Sequence, residues 1–129
     1  MPISEVAECV LLAFAGAVAW AAMAAEIVRV WKGYGTVEGV ERYCSDHFAK
    51  TVLPQLRALG GFRSARVLIR SVDNESEVVV ATVWESIDSI KAFAGENIDA
   101  AVVEPVVRDL LDRFDDGVTH FTVAVSTPS

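Results

Sequence analysis

Histidine, cysteine and proline are scarce in this chain of 129 residues, which holds two, two and four of them. Cys9 and Cys44 are too few and too far apart for a disulfide framework or a zinc site. Both read as free thiols in a reducing compartment, with Cys44 expected in the core. Basic residues are also short, 11 against 18 acidic, and the net charge is -7. Lys and Arg stand singly, so no basic face exists for phosphate, and a nucleic-acid partner is excluded. Glycine-rich phosphate loops, GxSxG, CxxC, HExxH and a dinucleotide fingerprint are all missing. Flavin, NAD and a histidine-based metal centre are therefore not indicated. What the chain does have is apolar residues, 53% of the total, enough for one well-packed domain.

Charge is absent altogether from Cys9 to Ala25, a run dominated by alanine. Residues 1–23 are read as an apolar extension preceding a domain over 24–129. The only charges before the run are Glu5 and Glu8, which is not the basic start of a secretory signal. Three readings stay open: an upstream extension with Met23 as the true start, a signal or anchor, or a structural helix. As a membrane span, residues 9–25 are short and weakly apolar. A cytoplasmic protein is expected, with export or anchoring through this run as the alternative.

Periodicity orders the rest. Ala24 to Lys32 alternates as a first strand, and Gly33-Tyr34-Gly35 reads as a loop. Thr36 can cap a helix with an inward stripe of Val40, Cys44, Phe48 and Val52, flanked by Tyr43 and His47. Pro54 should bend or break it near Leu53, and Gly60-Gly61 should end it. Phe62 to Val72 is a second strand, Asp73 to Ser76 a turn, and Val78 to Trp84 a buried third strand. Ser86 then caps a helix with Ile87, Ile90 and Phe93 inward, closed by Gly95. Glu96 to Glu104 reads as irregular. Pro105 opens a helix carrying Val107, Leu110, Leu111 and Phe114 inward, and Val118 to Val125 is a last strand.

The order β-α-β-β-α-α-β implies an α+β, ferredoxin-like split βαβ fold, with an antiparallel four-stranded sheet and helices on one face. Its other face needs cover, for which a second copy is the simplest source, so a homodimer is expected. Strand parity then sorts the residues. Val28, Val30, Val79, Ala81, Val83, Phe121, Val123 and Val125 form wholly apolar sets, expected under the helices. Arg29, Trp31, Thr82, Trp84, His120 and Thr122 are left together on the open face. That mixture of aromatic rings, hydroxyls, a cation and an imidazole suits a small-molecule site. His120 is the candidate base and Arg29 the oxyanion partner, with Trp84 as a pocket wall. Each also has a plain structural role open to it: interface packing for Trp84, ion pairing for Arg29, hydrogen bonding for His120. Tyr43 and His47 are further candidates for substrate contact or a helix-flank hydrogen bond.

From Ala24 to Val125 the chain resembles the antibiotic-biosynthesis-monooxygenase family of dimeric α/β barrels. The resemblance rests on IVRVWKG, on HFAKTVLPQL followed by GGFRSARVLIR, on VVVATVWESIDSIKAFAGENIDAAVVEP and on RDLLDRFDDGVTHFTV. It implies an aerobic monooxygenase that in some members uses no metal, flavin or haem. There a phenol or anthrone is deprotonated and its carbanion reduces O2 directly. Trp84 resembles the pocket tryptophan of haem-degrading relatives. The region from Asn97 to Leu111 has no histidine, however, and the first strand carries Ile27 and Arg29 where those relatives use asparagine, so haem is disfavoured. A small aromatic substrate with O2 is the function implied. A non-catalytic dimeric barrel that binds a ligand or is associated with stress, and a polyketide-cyclase-like enzyme, are the alternatives.

Overall fold

The computed structural model describes residues 25–127. The readings of residues 1–23, of Cys9 and of a domain boundary at 24 lie outside that range. The elements are β1 (Ile27–Gly35), α1 (Val37–Arg42), a π-helix (Tyr43–Val52), α2 (Leu53–Arg57), β2 (Phe62–Val72) and β3 (Glu75–Trp84). They continue with α3 (Ile87–Ala94), α4 (Pro105–Leu110), β4 (Arg113–Phe114) and β5 (Thr119–Thr122). The fold is α+β and ferredoxin-like. The antiparallel sheet runs β2-β3-β1-β4, and β5 also pairs with β1. Among the described residues no helix is long and apolar enough to cross a membrane.

The last helix ends at Leu110. Phe114, expected on its inward face, instead pairs in a short added strand that makes the sheet five-stranded. The expected last strand, Val118 to Val125, shortens to β5. β4 pairs Phe114 with Gly33 and β5 pairs Thr119 with Val30, so residues 115–118 stand opposite only Trp31 and Lys32. The surplus residues bulge outward, and Ala101 and Val118 bond across to the Asp116 and Asp99 carbonyls. The bulge thereby pins the irregular segment between α3 and α4 to the sheet edge.

Gly33-Tyr34-Gly35 is strand rather than loop. These residues continue the ladder with Val78, Glu77 and Ser76. The glycines serve a close approach: a Cβ on Gly33 would sit 2.6 Å from Leu111 Cδ1. The hairpin is also tighter than expected, since Val72 pairs with Glu75 and only Asp73 and Asn74 turn the chain, Asp73 at φ 54°. α3 follows expectation: Ser86 and Ser89 form a reciprocal cap, Ile90 is fully buried, and Gly95 ends the helix at φ 81°.

The first helix departs most from its reading. Pro54 does not break it. The chain runs in a wide π register as far as Val52 and becomes α-helical at Leu53, with Pro54 in the first turn of α2. Leu53 N–H bonds the Phe48 carbonyl, five residues back. In this register Tyr43 and His47 are buried beside Phe48, while Cys44, a free thiol, is only partly so.

Strand parity grouped the residues correctly but put them on the wrong face. Arg29 pairs with Thr82 and His120, Trp31 with Val80, and Ile27 with Trp84 and Thr122, so the mixed set does share one face. That face lies under the helices: Trp84 packs on Phe93 of α3, and Trp31 on Tyr43. The apolar set of Val28, Val30, Val79, Ala81 and Val83 lies opposite, with Phe121 and Val125 54% and 63% exposed. The reason is chemical. Polar groups can enter a core when bonded, and these are: Trp84 Nε1 donates to Thr82 Oγ1 at 2.8 Å, and Trp31 Nε1 to the Asp115 carbonyl at 2.8 Å.

Candidate functional site

Between the sheet and the π-helix lies a cavity of about 60 Å³ with an open mouth. β1 contributes Arg29 and Trp31, β3 contributes Val80 and Thr82, and the π-helix contributes Tyr43, His47, Phe48 and Val52. Phe93 from α3 and Glu104, the residue before α4, complete the chemically distinctive part of the wall. The floor is a pleated face on which alternate residues point inward, so Arg29 and Trp31 arrive together with their cross-strand partners.

Arg29 is 5% exposed and organises one end. Nη1 donates to the Ile98 carbonyl and to His120 Nε2, at 3.0 Å for the latter, and Nη2 donates to the Ala100 carbonyl at 2.9 Å. The Phe93 ring covers the guanidinium at 5.9 Å. A guanidinium has five N–H donors, so Nε–H and one Nη2 proton remain unspent. Burial lowers the Arg29 pKa, and Asp99 acts against that shift.

His120 sits behind Arg29 and does not line the cavity. Arginine has no acceptor, so His120 Nε2 accepts and its proton resides on Nδ1, which faces Asp99 Oδ1 at 3.5 Å. Burial first, and the Arg29 charge second, push the imidazole pKa down, while Asp99 opposes them. Its basic lone pair is therefore engaged. Trp84 and Thr122 also lie away from the cavity: Trp84 is fully buried in the core, and Thr122 is exposed near the end of the sheet.

The imidazole that does line the cavity is His47, 6% exposed. No described group bonds its ring nitrogens, and the residue lines the cavity wall. Tyr43 stacks beside it with ring centroids 5.6 Å apart and beside Trp31 at 5.8 Å. Burial, with smaller contributions from Cys44 and Glu104, raises the Tyr43 pKa, so its hydroxyl stays protonated and serves as a donor. Among the described residues no three His, Cys, Asp or Glu side chains converge as metal ligands.

Of the expected site residues, the cavity brings together Arg29, Trp31, Tyr43, His47 and Thr82, and leaves out Trp84, His120 and Thr122. Glu104, Phe48 and the carbonyls of Ile98 and Ala100 were not anticipated. Phe48 stood on the expected inward stripe; nothing in the spacing marks Glu104 or the two carbonyls.

No family model matches the sequence, and no curated protein matches it. Among solved structures, it is similar to a Bacillus cereus protein provisionally assigned as an antibiotic biosynthesis monooxygenase. The TM-score is 0.56 at 17% identity, over 81% of this chain and 99% of the other. What the two share is the arrangement of the backbone: this chain has the fold of an antibiotic biosynthesis monooxygenase.

Proposed function

We propose that the protein is a monooxygenase that oxidises a small phenolic or anthrone-like substrate with O2, using His47 as proton acceptor and Arg29 as oxyanion partner. The observation that carries this reading is the cavity's pairing of an imidazole on its wall with a buried guanidinium that has two donors unspent. The rest of the wall is mainly aromatic and aliphatic. Such a site lowers the pKa of a bound phenol by stabilising its anion and receives the proton on the neighbouring imidazole. The anion's carbon form gives one electron to O2, the radical pair combines to a peroxide, and loss of water leaves a carbonyl. In balance, a ring methylene and one molecule of dioxygen become a ring carbonyl and one molecule of water, and the substrate supplies all the electrons.

Size restricts the substrate. A closed cavity of about 150 Å³ is what benzene fills. A space of about 60 Å³ takes only the reacting edge of a ring, so the rest of the molecule lies in the mouth. The bare apolar face of the sheet supports a homodimer in which a second sheet covers Val28, Val30, Val79, Ala81 and Val83. The same base and oxyanion partner would also serve a cyclisation without O2, which reaction under nitrogen reveals.

The test is oxygen uptake with a panel of hydroxylated mono- and polycyclic aromatics, comparing wild type with His47→Gln and His120→Gln. A loss of about 10² to 10⁴ is expected for His47→Gln, the usual contribution of a positioned acid–base group. Undiminished uptake in His47→Gln would sink the assignment.

A further inference from the structure

Three described acceptors hold the Arg29 fork, and they are not alike. The carbonyls of Ile98 and Ala100 accept a hydrogen bond at any pH. His120 Nε2, 3.0 Å from Nη1, accepts only while the imidazole is neutral. Protonated, the ring would turn an N–H toward an N–H and set two positive charges in contact. That arrangement cannot persist. The charged groups that face the ring are Arg29 from β1 and Asp99 from the segment between α3 and α4. Asp99 Oδ1 lies 3.5 Å from Nδ1, on a side chain 81% exposed and so free to follow the ring. An imidazolium is therefore repelled on one side and attracted on the other, and it leaves Arg29 for Asp99.

A guanidinium is one rigid plane, so a displacement of Nη1 carries the unspent Nε–H and Nη2 protons with it. Resting on the reading of Arg29 as oxyanion partner, we infer that His120 is a positioning residue: its neutral ring fixes the fork for a bound phenol, and its protonation releases the fork. The site then has an acid limit set behind its own wall, by a ring that does not line the cavity. Burial and the Arg29 charge hold the His120 pKa below its ordinary value. The fork is accordingly fixed at neutral pH and released only in acid.

Two replacements of His120 separate positioning from packing. Glutamine supplies an acceptor that does not titrate, and phenylalanine a flat ring with no acceptor at all. Phenol and naphthol, both uncharged in neutral and acid solution, serve as probes. Their dissociation constants are measured on the full-length protein at either side of the His120 transition. Imidazole NMR locates that transition, with His47→Gln identifying the other of the chain's two histidines.

Wild type should bind about tenfold more weakly on the acid side, the usual worth of one hydrogen bond to a charged donor. His120→Gln should lose less, and His120→Phe should bind weakly on both sides. His47 is present in all three proteins, so its own titration cancels in the comparison. An equal acid loss in wild type and His120→Gln overturns the inference, whether or not His120→Phe folds. If neither probe binds, hydrogen exchange of the Arg29 Nε–H decides. Relative to the exposed Arg57 and Arg66, it should lose protection as His120 protonates in wild type and keep it in His120→Gln. The same protection in both refutes the inference. The expected binding pattern without oxygen uptake would retain the positioning role and discard the monooxygenase reading. Oxygen uptake with an equal acid loss would do the reverse.

Discussion

Replacing Arg29 by methionine keeps an unbranched, apolar stem and removes the fork. Arg29 donates to the carbonyls of Ile98 and Ala100, which belong to the segment carrying Val102 and Glu104 into the cavity wall. Each buried carbonyl left without a donor costs about 1–3 kcal/mol, so the pair sets a ceiling of about 2–6 kcal/mol. The segment has a way to lower that cost: it can swing outward and bond water. It is tied elsewhere by Ala101 N–H to the Asp116 carbonyl, Val118 N–H to the Asp99 carbonyl, the bridge of Ala100 with Gly117 and the contact of Asp99 with His120 Nδ1. Arg29→Met should therefore show a stability loss of about 3 kcal/mol, roughly a hundredfold in the unfolding equilibrium. It should also show faster amide exchange at Ala101 and Val118 than at the β2–β3 hairpin. Arg29→Lys should fall between, because an ammonium reaches one carbonyl well but not both in a plane. Urea unfolding and hydrogen exchange make the measurements. A loss below about 1 kcal/mol with unchanged protection at Ala101 and Val118 would refute the view that Arg29 latches the cavity wall.

His120 gives a pH dependence with a definite sign. Its folded pKa lies below its unfolded value because burial and Arg29 disfavour the imidazolium. The neutral ring thus contributes stability above the unfolded pKa, and that contribution is lost as pH falls through the folded one. Unfolding free energies at about pH 7.5 and about pH 5 should differ less in His120→Gln than in wild type; an identical difference would remove His120 from the account. For the open face, Val30→Asp puts a charge amid Val28, Ala81 and Phe121 and should convert a dimer to a monomer in sedimentation equilibrium. A wild type already monomeric at micromolar concentration would dispose of the proposed sheet-to-sheet pairing.

The sequence by itself determined the order of elements apart from β4, and several of their ends, because those depend on local rules. Alternation marks β1, a run of β-branched apolar residues marks β3, Ser86 and Gly95 bracket α3, and Pro105 opens α4. Parity also determined that Arg29, Trp31, Thr82, Trp84 and His120 share a face, since a strand's side chains alternate from one face to the other. Which face that was could not be read from hydrophobicity, because an apolar set marks any surface kept from water, by helices or by another molecule. Only the tertiary structure decided it, by showing Arg29 bonded to two carbonyls and Trp84 to Thr82 beneath the helices. The glycines of β1 misled for a related reason: their purpose is contact with Leu111 far along the chain, which no local pattern encodes. The exchange of His120 for His47 as cavity imidazole has the same origin. Which side chains of the π-helix meet the cavity is decided only once that helix lies against its sheet.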